Sequence, residues 1–146
     1  MAYWGNEAPI ILYGAGYASS IDLRELDCNY ELSWVKERVL HRSAITGHLN
    51  AFDRADSDKG RMSAEIVAFN IPPGAVMDQF RALRAESLVK LRIHADATGT
   101  DIWEVVFAVE HYKPFASGES GLPYPQYDSV YMRLVSQDYV DLKQTS

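Results

Sequence analysis

Cysteine, basic residues and long apolar segments are all scarce in this chain, and each scarcity excludes a class of protein. The 146 residues include a single cysteine, Cys28, so no disulfide forms within the chain and a cysteine-based metal cluster is excluded. The N-terminal sequence MAYWGNEAPIILYGAG has no basic segment, and its apolar run is only a few residues long. It predicts neither a signal peptide nor a membrane span, so we expect a soluble protein made in the cytoplasm, with no membrane partner.

The charge balance is acidic, with 14 Lys and Arg residues against 20 Asp and Glu residues and a formal net charge of −6. A surface that neutralises phosphates needs clustered cations, and the cations between Arg81 and Arg92 are interleaved with acidic residues. This interleaving favours an ordinary solvated surface. An acidic wall has a different physical use, because it lets nucleic acid pass without adhering.

Length and composition predict one folded domain spanning residues 1–146. A chain of this size buries about two thirds of its unfolded surface, and 47% of its residues are apolar. No long polar or low-complexity tract indicates disorder. We therefore expect almost the whole chain to be folded.

Two short motifs partly match ligand-binding patterns, and both fail on spacing. Gly14 and Gly16 follow an apolar run, but Ser19 replaces the third glycine of a dinucleotide-binding motif and no βαβ unit follows. A calcium loop begun at Asp56 would place Val67 where the last glutamate ligand belongs. We expect no cofactor, no metal site and no small-molecule substrate.

No set of residues has the spacing of a known catalytic site. The four histidines lie on separate segments, and none has the spacing of a zinc motif. His94 and Asp96 would share one face of a strand, so an acid–base or metal pair there is one alternative. Lys90 and Arg92 on the same face favour a polar sheet surface instead. The sequence thus predicts a protein that is not an enzyme.

Alternating apolar and polar residues predict strands over much of the chain. In Cys28–Trp34 the even-numbered residues are apolar and the odd-numbered residues are polar. In Val35–Leu40 the apolar residues move to the opposite face, which predicts that the strand continues with a kink or that a helical turn follows. Similar alternation predicts strands in Arg61–Ile71 and Ser129–Gln137, and an apolar run predicts another in Ala8–Tyr13.

One amphipathic helix lies among these strands. After Pro72-Pro73-Gly74, the residues Ala75–Leu88 place their apolar side chains along one side of a helix. Val89–Ala95 and Ile102–Tyr112 alternate on either side of a turn, which predicts a hairpin with one apolar face. The predicted fold is mainly β (α+β), an antiparallel β-sandwich or barrel with one packed amphipathic α-helix.

Two predicted loops are candidates for contacts with a partner. Asn50–Gly60 is the most polar stretch, and Lys113–Asp128 is rich in proline and aromatic residues. Tyrosine is common at protein interfaces because its apolar body ends in a polar tip, although a loop packed on itself would use tyrosine equally well. The candidate subunit-contact residues are Asp53, Asp56, Asp58, Tyr112, Phe115, Tyr124 and Tyr127.

The order of these elements resembles that of tail-tube and distal-tail proteins of tailed phages. The resemblance is in element order and covers most of the chain, chiefly Ile66–Val135. There VKLRIHADATGTDIWEVVFAVEHY and, after a loop, YDSVYMRLVSQ are similar to the late strands of those proteins. It implies a tail-tube-like β-sandwich or barrel of which about six copies join their sheets around a lumen as a ring. Stacked rings of this kind conduct DNA.

The resemblance implies a non-enzymatic structural protein of the virion tail, made in the host cytoplasm. Its partners would be further copies of itself and neighbouring tail proteins, and DNA would pass without specific binding. The N-terminal MAYWGNEAPIILYGAGYASS lacks the tail-tube pattern, so a tail-tip ring, a terminator and a head-to-tail connector stay open. Two other classes also stay open: a small phage or bacterial protein that binds and inhibits a host partner, and a small β-fold enzyme using His94 and Asp96.

Overall fold

The computed structural model of the protein describes residues 8–53, 59–94, 102–116 and 127–141. Within these ranges the chain forms ten strands and one α-helix. In chain order the elements are β1 (Ile10–Tyr13), β2 (Ser19–Asp22), β3 (Asp27–Val35), β4 (Arg38–Arg42), β5 (Leu49–Asp53), β6 (Lys59–Phe69), α1 (Ala75–Leu83), β7 (Leu88–His94), β8 (Ile102–Phe115), β9 (Ser129–Ser136) and β10 (Val140–Asp141). Short 3₁₀ turns at Ala15–Tyr17 and Leu23–Glu25 flank β2.

Eight of these strands form one antiparallel sheet that curls into a half-barrel. The lateral order is β2, β1, β7, β8, β9, β6 and β3, and β10 also pairs with β6. β4 and β5 form a separate two-stranded ribbon. The predicted mainly β fold with a single helix is confirmed for the described residues.

One face of the curled sheet carries the hydrophobic core. Every second residue of β6 from Gly60 to Ala68 is buried, and Ile66 lies opposite Met132 of β9. Because successive residues of a strand point to opposite faces, the alternation seen in the sequence decides which face is inside. The largest fully buried side chains include Phe80, Phe107, Ile11, Leu23, Met62, Leu83, Leu91 and Ile93.

The helix covers part of this core. It begins after Gly74, whose φ of 107° lies in a region that glycine adopts without steric cost. The first helical hydrogen bond runs from the Asp78 amide to the Gly74 carbonyl at 3.0 Å. Met77, Phe80 and Leu83 are buried, as their spacing of three residues requires for one helical face.

The helix ends at Leu83, well before the predicted end at Leu88. The amides of Arg84 and Glu86 bond to carbonyls three residues back, at 3.3 and 3.0 Å, so the last turn tightens and the helix stops. Leu88 instead begins β7 and pairs with Ala108 of β8. Pairing between strands distant in sequence therefore overrides the helical periodicity of these residues.

Two further predicted boundaries were wrong for the same reason. The strand beginning at Cys28 does not continue as one kinked strand to Leu40, since β3 ends at Val35 and β4 pairs with β5 in the ribbon. The predicted loop Asn50–Gly60 begins with strand residues of β5 and ends with Lys59 and Gly60 of β6.

β8 extends farther than the predicted strand, which ended at Tyr112. Lys113 pairs with Tyr131 and Phe115 pairs with Ser129, so the start of the predicted Pro-rich loop is sheet. A bulge lies between Val109 and His111. It reverses the alternation, because one extra residue exchanges the two faces of a strand.

The curled sheet has β2 and β3 at its two lateral ends, joined by the turn Leu23–Glu25. Leu23 is fully buried, and its amide donates to the carbonyl of Pro9 at 3.3 Å. The turn thus links the two ends of the sheet through a buried anchor. No helix among the described residues is long and apolar enough to cross a membrane.

Candidate functional site

The β4–β5 ribbon is almost entirely exposed to solvent. From Arg38 to Phe52, every residue except Ser43 is exposed. A two-stranded ribbon is at best marginally stable alone in water, and contiguous exposed apolar residues mark interaction sites. The exposed apolar side chains are Val39, Leu40, Ile45 (96% exposed), Leu49 and Phe52 (58% exposed).

Both faces of the ribbon are partly apolar. The register places Val39 opposite Phe52, and Leu40 opposite Ala51. Because neighbouring residues point to opposite faces, Val39 and Phe52 share one face while Leu40 and Leu49 share the other. The ribbon therefore presents apolar surface in two directions.

The tip of the ribbon is held in a defined conformation. The Ser43 hydroxyl oxygen accepts hydrogen bonds from the amides of Ile45 at 3.2 Å and Thr46 at 3.3 Å. Gly47 has a φ of 74°, and its carbonyl accepts a 2.9 Å bond from the Arg42 guanidinium. This order presents Ile45 to solvent and reduces the entropy lost when a partner covers it.

The base of the ribbon is joined to the body by several polar contacts. The Trp34 indole donates to the Val140 carbonyl at 2.9 Å. The Glu37 carboxylate pairs with Arg61 at 2.9 Å and accepts a 3.0 Å hydrogen bond from the Tyr139 hydroxyl. The ribbon thus leaves the body from a fixed base.

The second feature of the site is the open edge of β3. This strand pairs with β6 along its whole length, from Asp27 opposite Phe69 to Val35 opposite Arg61. No other strand among the described residues pairs with it. An unpaired edge of nine residues is a template for another strand.

A groove of about 580 Å³ lies along this edge, lined by residues of β3 and of the turn before it, including Leu23, Glu25, Leu26, Cys28 and Tyr30. The Cys28 thiol donates to the Leu23 carbonyl at 3.4 Å. Burial, together with the neighbouring Asp27 carboxylate, raises the pKa of the Cys28 thiol above its ordinary value of 9.0. A raised pKa keeps the thiol protonated and slow to react at neutral pH.

The structure brings together two of the predicted contact residues, Tyr112 and Tyr127. Both line a groove beside α1, and Tyr127 is 53% exposed. Phe115 lies on the opposite face of the sheet, where its ring meets Phe69 edge-on at 6.3 Å between centroids. The bulge in β8 lies before both residues, and Tyr112 and Phe115 point to opposite faces because they are three positions apart along the strand.

The other predicted contact residues are only partly within the described chain. Asp53 is the last residue of β5, and its backbone pairs with Arg38 at the base of the ribbon. Asp56, Asp58 and Tyr124 lie outside the described residues. Their role in subunit contacts stays a prediction.

The structure describes only one residue of the alternative catalytic pair His94 and Asp96. His94 is the last residue of β7 and pairs with Ile102, while Asp96 lies outside the described residues. Within the described ranges, no three His, Cys, Asp or Glu residues are grouped so as to hold a metal ion. No contact in this part of the chain defines a catalytic site.

The sequence patterns single out neither Ile45 nor Phe52 as contact residues. A signal was present in LHRSAITGHLNAF, where Ser43 and Gly47 supply turn residues between two short segments of strand character. The apolar spacing in these segments is too short to distinguish a projecting ribbon from a strand of the main sheet. Only the solvent exposure of these residues in the structure distinguishes a projecting ribbon from a strand of the main sheet.

Replacing Tyr112 with Phe is expected to lower the free energy of unfolding by about 1 kcal/mol, because the Tyr112 hydroxyl donates a 2.6 Å hydrogen bond to the Phe80 carbonyl. Burial raises the pKa of Tyr112 above its ordinary value of 10.0, and Arg84 opposes this in part. The neutral phenol therefore stabilises the fold below pH 10, and that contribution is lost as the pH rises through the higher folded pKa.

Urea denaturation of the Tyr112→Phe variant at pH 7 and above pH 10 measures both effects. Between pH 7 and a pH above 10, the free energy of unfolding should fall less in the Tyr112→Phe variant than in the wild type. Tyr131→Phe is the control, because no described residue accepts a hydrogen bond from the half-exposed Tyr131 hydroxyl. Equal stabilities of the Tyr112→Phe variant and the wild type at pH 7 would contradict the assigned hydrogen bond.

No protein-family model matches the chain, and no curated protein matches it. Solved structures that are similar to it at low sequence identity include the following two. One is the tail of an empty gene transfer agent (GTA) particle, refined with C6 symmetry: identity is 12%, the match covers 91% of this chain and 94% of that chain, and the TM-score is 0.49. The other is the virion of a native gene transfer agent particle: identity is 12%, coverage is 89% and 91%, and the TM-score is 0.44.

Proposed function

We propose that this protein is a non-enzymatic structural subunit of a phage-like virion tail, which assembles into a ring of the tail tube or tail tip. About six copies would surround a lumen through which DNA passes without specific binding. The resemblance in element order supports the class of protein. The single observation that carries self-assembly is the exposed β4–β5 ribbon, whose apolar tip residue Ile45 is 96% exposed.

The ribbon supports assembly because its exposed apolar surface is rigidly presented. A monomer that functions alone rarely keeps five large apolar side chains exposed on one projection. The polar contacts at its base and the hydrogen-bonded tip order the ribbon before any partner binds. An ordered projection loses little entropy on binding and suits a permanent subunit contact.

The open edge of β3 supports the same proposal. Edge strands in isolated proteins are usually short, charged inward or covered, whereas β3 presents nine residues with no strand partner among the described elements. Continuing the sheet from one copy into the next would cover this edge. The ribbon and the β3 edge are different surfaces of one chain. If the ribbon of each copy contacts the edge of the next copy, the same contact repeats from copy to copy and can close into a ring.

The acidic balance suits a channel for DNA. The chain carries a net charge of −6, and repulsion between acidic walls and phosphates prevents adhesion during passage. In this proposal the protein acts in the virion tail, beside neighbouring tail proteins, after synthesis in the host cytoplasm.

Sedimentation velocity across a range of protein concentrations, with negative-stain electron microscopy of the largest species, tests this function. We expect rings or tubes with a central hole that grow with concentration. A protein that stays monomeric at every concentration would overturn the proposal. A stoichiometric host protein captured by that monomer would then establish the alternative, a binder of a host partner.

A further inference from the structure

We propose that β4 of one copy pairs antiparallel with the open edge of β3 in a second copy, so that the ribbon tip covers the groove on that edge. This inference rests on the proposed self-assembly and identifies the surfaces that meet. The two strands are described elements of the same chain, so each copy offers both halves of the contact.

The first argument is the spacing of charges. Asp27 and Glu31 are four residues apart on the exposed face of β3, and Arg38 and Arg42 are four residues apart on one face of β4. An antiparallel register that places Arg42 opposite Asp27 also places Arg38 opposite Glu31. Both pairs then lie on the same face, since side chains alternate with a period of two.

The second argument is the composition of the opposite face. In this register Val39 lies opposite Tyr30 and His41 lies opposite Cys28, both residues that line the groove. The Val39 side of the ribbon also carries Phe52. Apolar ribbon residues therefore meet the partly apolar groove on the face away from the charged pairs.

The third argument is the position of the tip. Extending the same register beyond β4 places Ser43 opposite Leu26 and Ile45 opposite Arg24. Leu26 and Arg24 line the groove together with the buried Leu23. Ile45 would thus lose its exposure against the lining of this groove.

Electrostatics distinguishes this groove from two other grooves on the described surface. The groove beside α1 has Arg81 and Arg84 in its lining, and the groove on the outer sheet face has Lys113. Cationic linings repel Arg42. The groove on the β3 edge also contains Arg24, but Arg24 forms a 2.9 Å salt bridge with Asp22. Glu25, Asp27 and Glu31 form no ion pair with any described residue, so their charges can attract a basic partner.

The ribbon cannot satisfy this pairing within its own copy. β3 runs from Asp27 to Val35 over about 26 Å at roughly 3.3 Å per residue, and the ribbon leaves the body only after Val35. Its residues from Arg38 to Phe52 are exposed, apart from Ser43, so the ribbon does not fold back over β3. The edge is therefore open to another chain, and the matched charge spacing of β4 assigns it to a second copy.

Disulfide trapping with the native cysteine tests the pairing. In a His41→Cys variant, oxidation by copper phenanthroline at pH 8.5 should link the new thiol to Cys28 of a neighbouring copy, because directly opposed strand residues lie within disulfide reach. The alkaline pH is needed because the pKa of Cys28 is raised. Each copy has both thiols, so we expect a ladder of covalent oligomers, with the 41–28 link identified by mass spectrometry.

Leu40→Cys is the matched control, since Leu40 neighbours His41 but points to the other face of β4. It should yield less than a tenth of the linkage. The His41→Cys/Cys28→Ser variant should lose the ladder. Equal ladders from His41→Cys and Leu40→Cys, or a link formed within one chain, would overturn the pairing.

Exchanging the charges of Arg42 and Asp27 tests the same pairing without disulfide chemistry. Arg42→Glu should weaken assembly at least tenfold in sedimentation experiments, and Arg42→Glu/Asp27→Arg should restore it. If the wild type assembles but neither trapping nor charge exchange behaves as stated, the pairing is wrong and the proposed function stands. If the wild type does not assemble and no 41–28 link forms, the proposed function and the pairing both fail.

Discussion

Replacing Ile45 with Asp is expected to abolish assembly while leaving the folded subunit intact. Ile45 is 96% exposed at the tip of the ribbon, so the folded subunit loses almost no packing and its stability should change by less than about 0.5 kcal/mol. In the proposed assembly the same position would be covered by a second copy. Burying an unpaired carboxylate in an apolar contact costs several kcal/mol. A cost of only about 2 kcal/mol would weaken association roughly thirtyfold.

The measurement is sedimentation velocity of the Ile45→Asp variant against the wild type, with urea denaturation to verify the fold. Ala85→Asp is the matched control, because Ala85 is an exposed apolar residue between α1 and β7, away from the ribbon and the β3 edge. The control should assemble like the wild type. An Ile45→Asp variant that assembles with unchanged affinity would show that the tip lies outside the subunit interface.

Replacing Gly60 with Ala is expected to lower the free energy of unfolding by about 3 kcal/mol, the upper range for overpacking. A Cβ at this position would lie 2.5 Å from the Val35 carbonyl oxygen and 2.6 Å from Cε2 of Trp34. Neither atom can yield easily, because Val35 belongs to the β3–β6 pairing and the Trp34 indole is hydrogen-bonded to Val140. The base of the ribbon must therefore shift.

Thermal and urea denaturation measure this loss, and Gly16→Ala is the control. Gly16 has a φ of 65° and nothing within 4 Å of an added Cβ, so its substitution costs only the backbone strain of about 1 kcal/mol. Because Gly60 lies where the ribbon joins the body, we also expect Gly60→Ala to weaken assembly. A Gly60→Ala variant as stable as the wild type would contradict the close packing of Trp34 against this glycine.

Local periodicity was sufficient to predict most elements of the body. The alternation in β3 and β9 and the spacing of Met77, Phe80 and Leu83 in α1 are imposed by burial on one face. A side chain that must be buried restricts its neighbours through the geometry of its own element. The mainly β class with a single helix could therefore be predicted from the sequence.

The candidate site could not be predicted in the same way. The conspicuous aromatic residues Tyr112 and Phe115 drew attention to the Pro-rich segment, yet they lie on opposite faces of β8 because they are three positions apart in regular strand. Exposed apolar residues of the ribbon, such as Ile45 and Phe52, have an ordinary local pattern. The sequence pattern around an apolar residue does not show whether another segment of the chain covers that residue.

The sequence by itself determined the fold class, the buried face of α1 and of strands such as β3, β6 and β9, and the acidic charge balance. Only the tertiary structure decided that β4 and β5 leave the sheet as a ribbon, that one edge of β3 has no strand partner among the described residues, and that Leu88 belongs to a strand. The physical reason is that periodicity within an element reflects its own geometry, whereas strand partners, open edges and exposure depend on contacts between segments far apart in the chain.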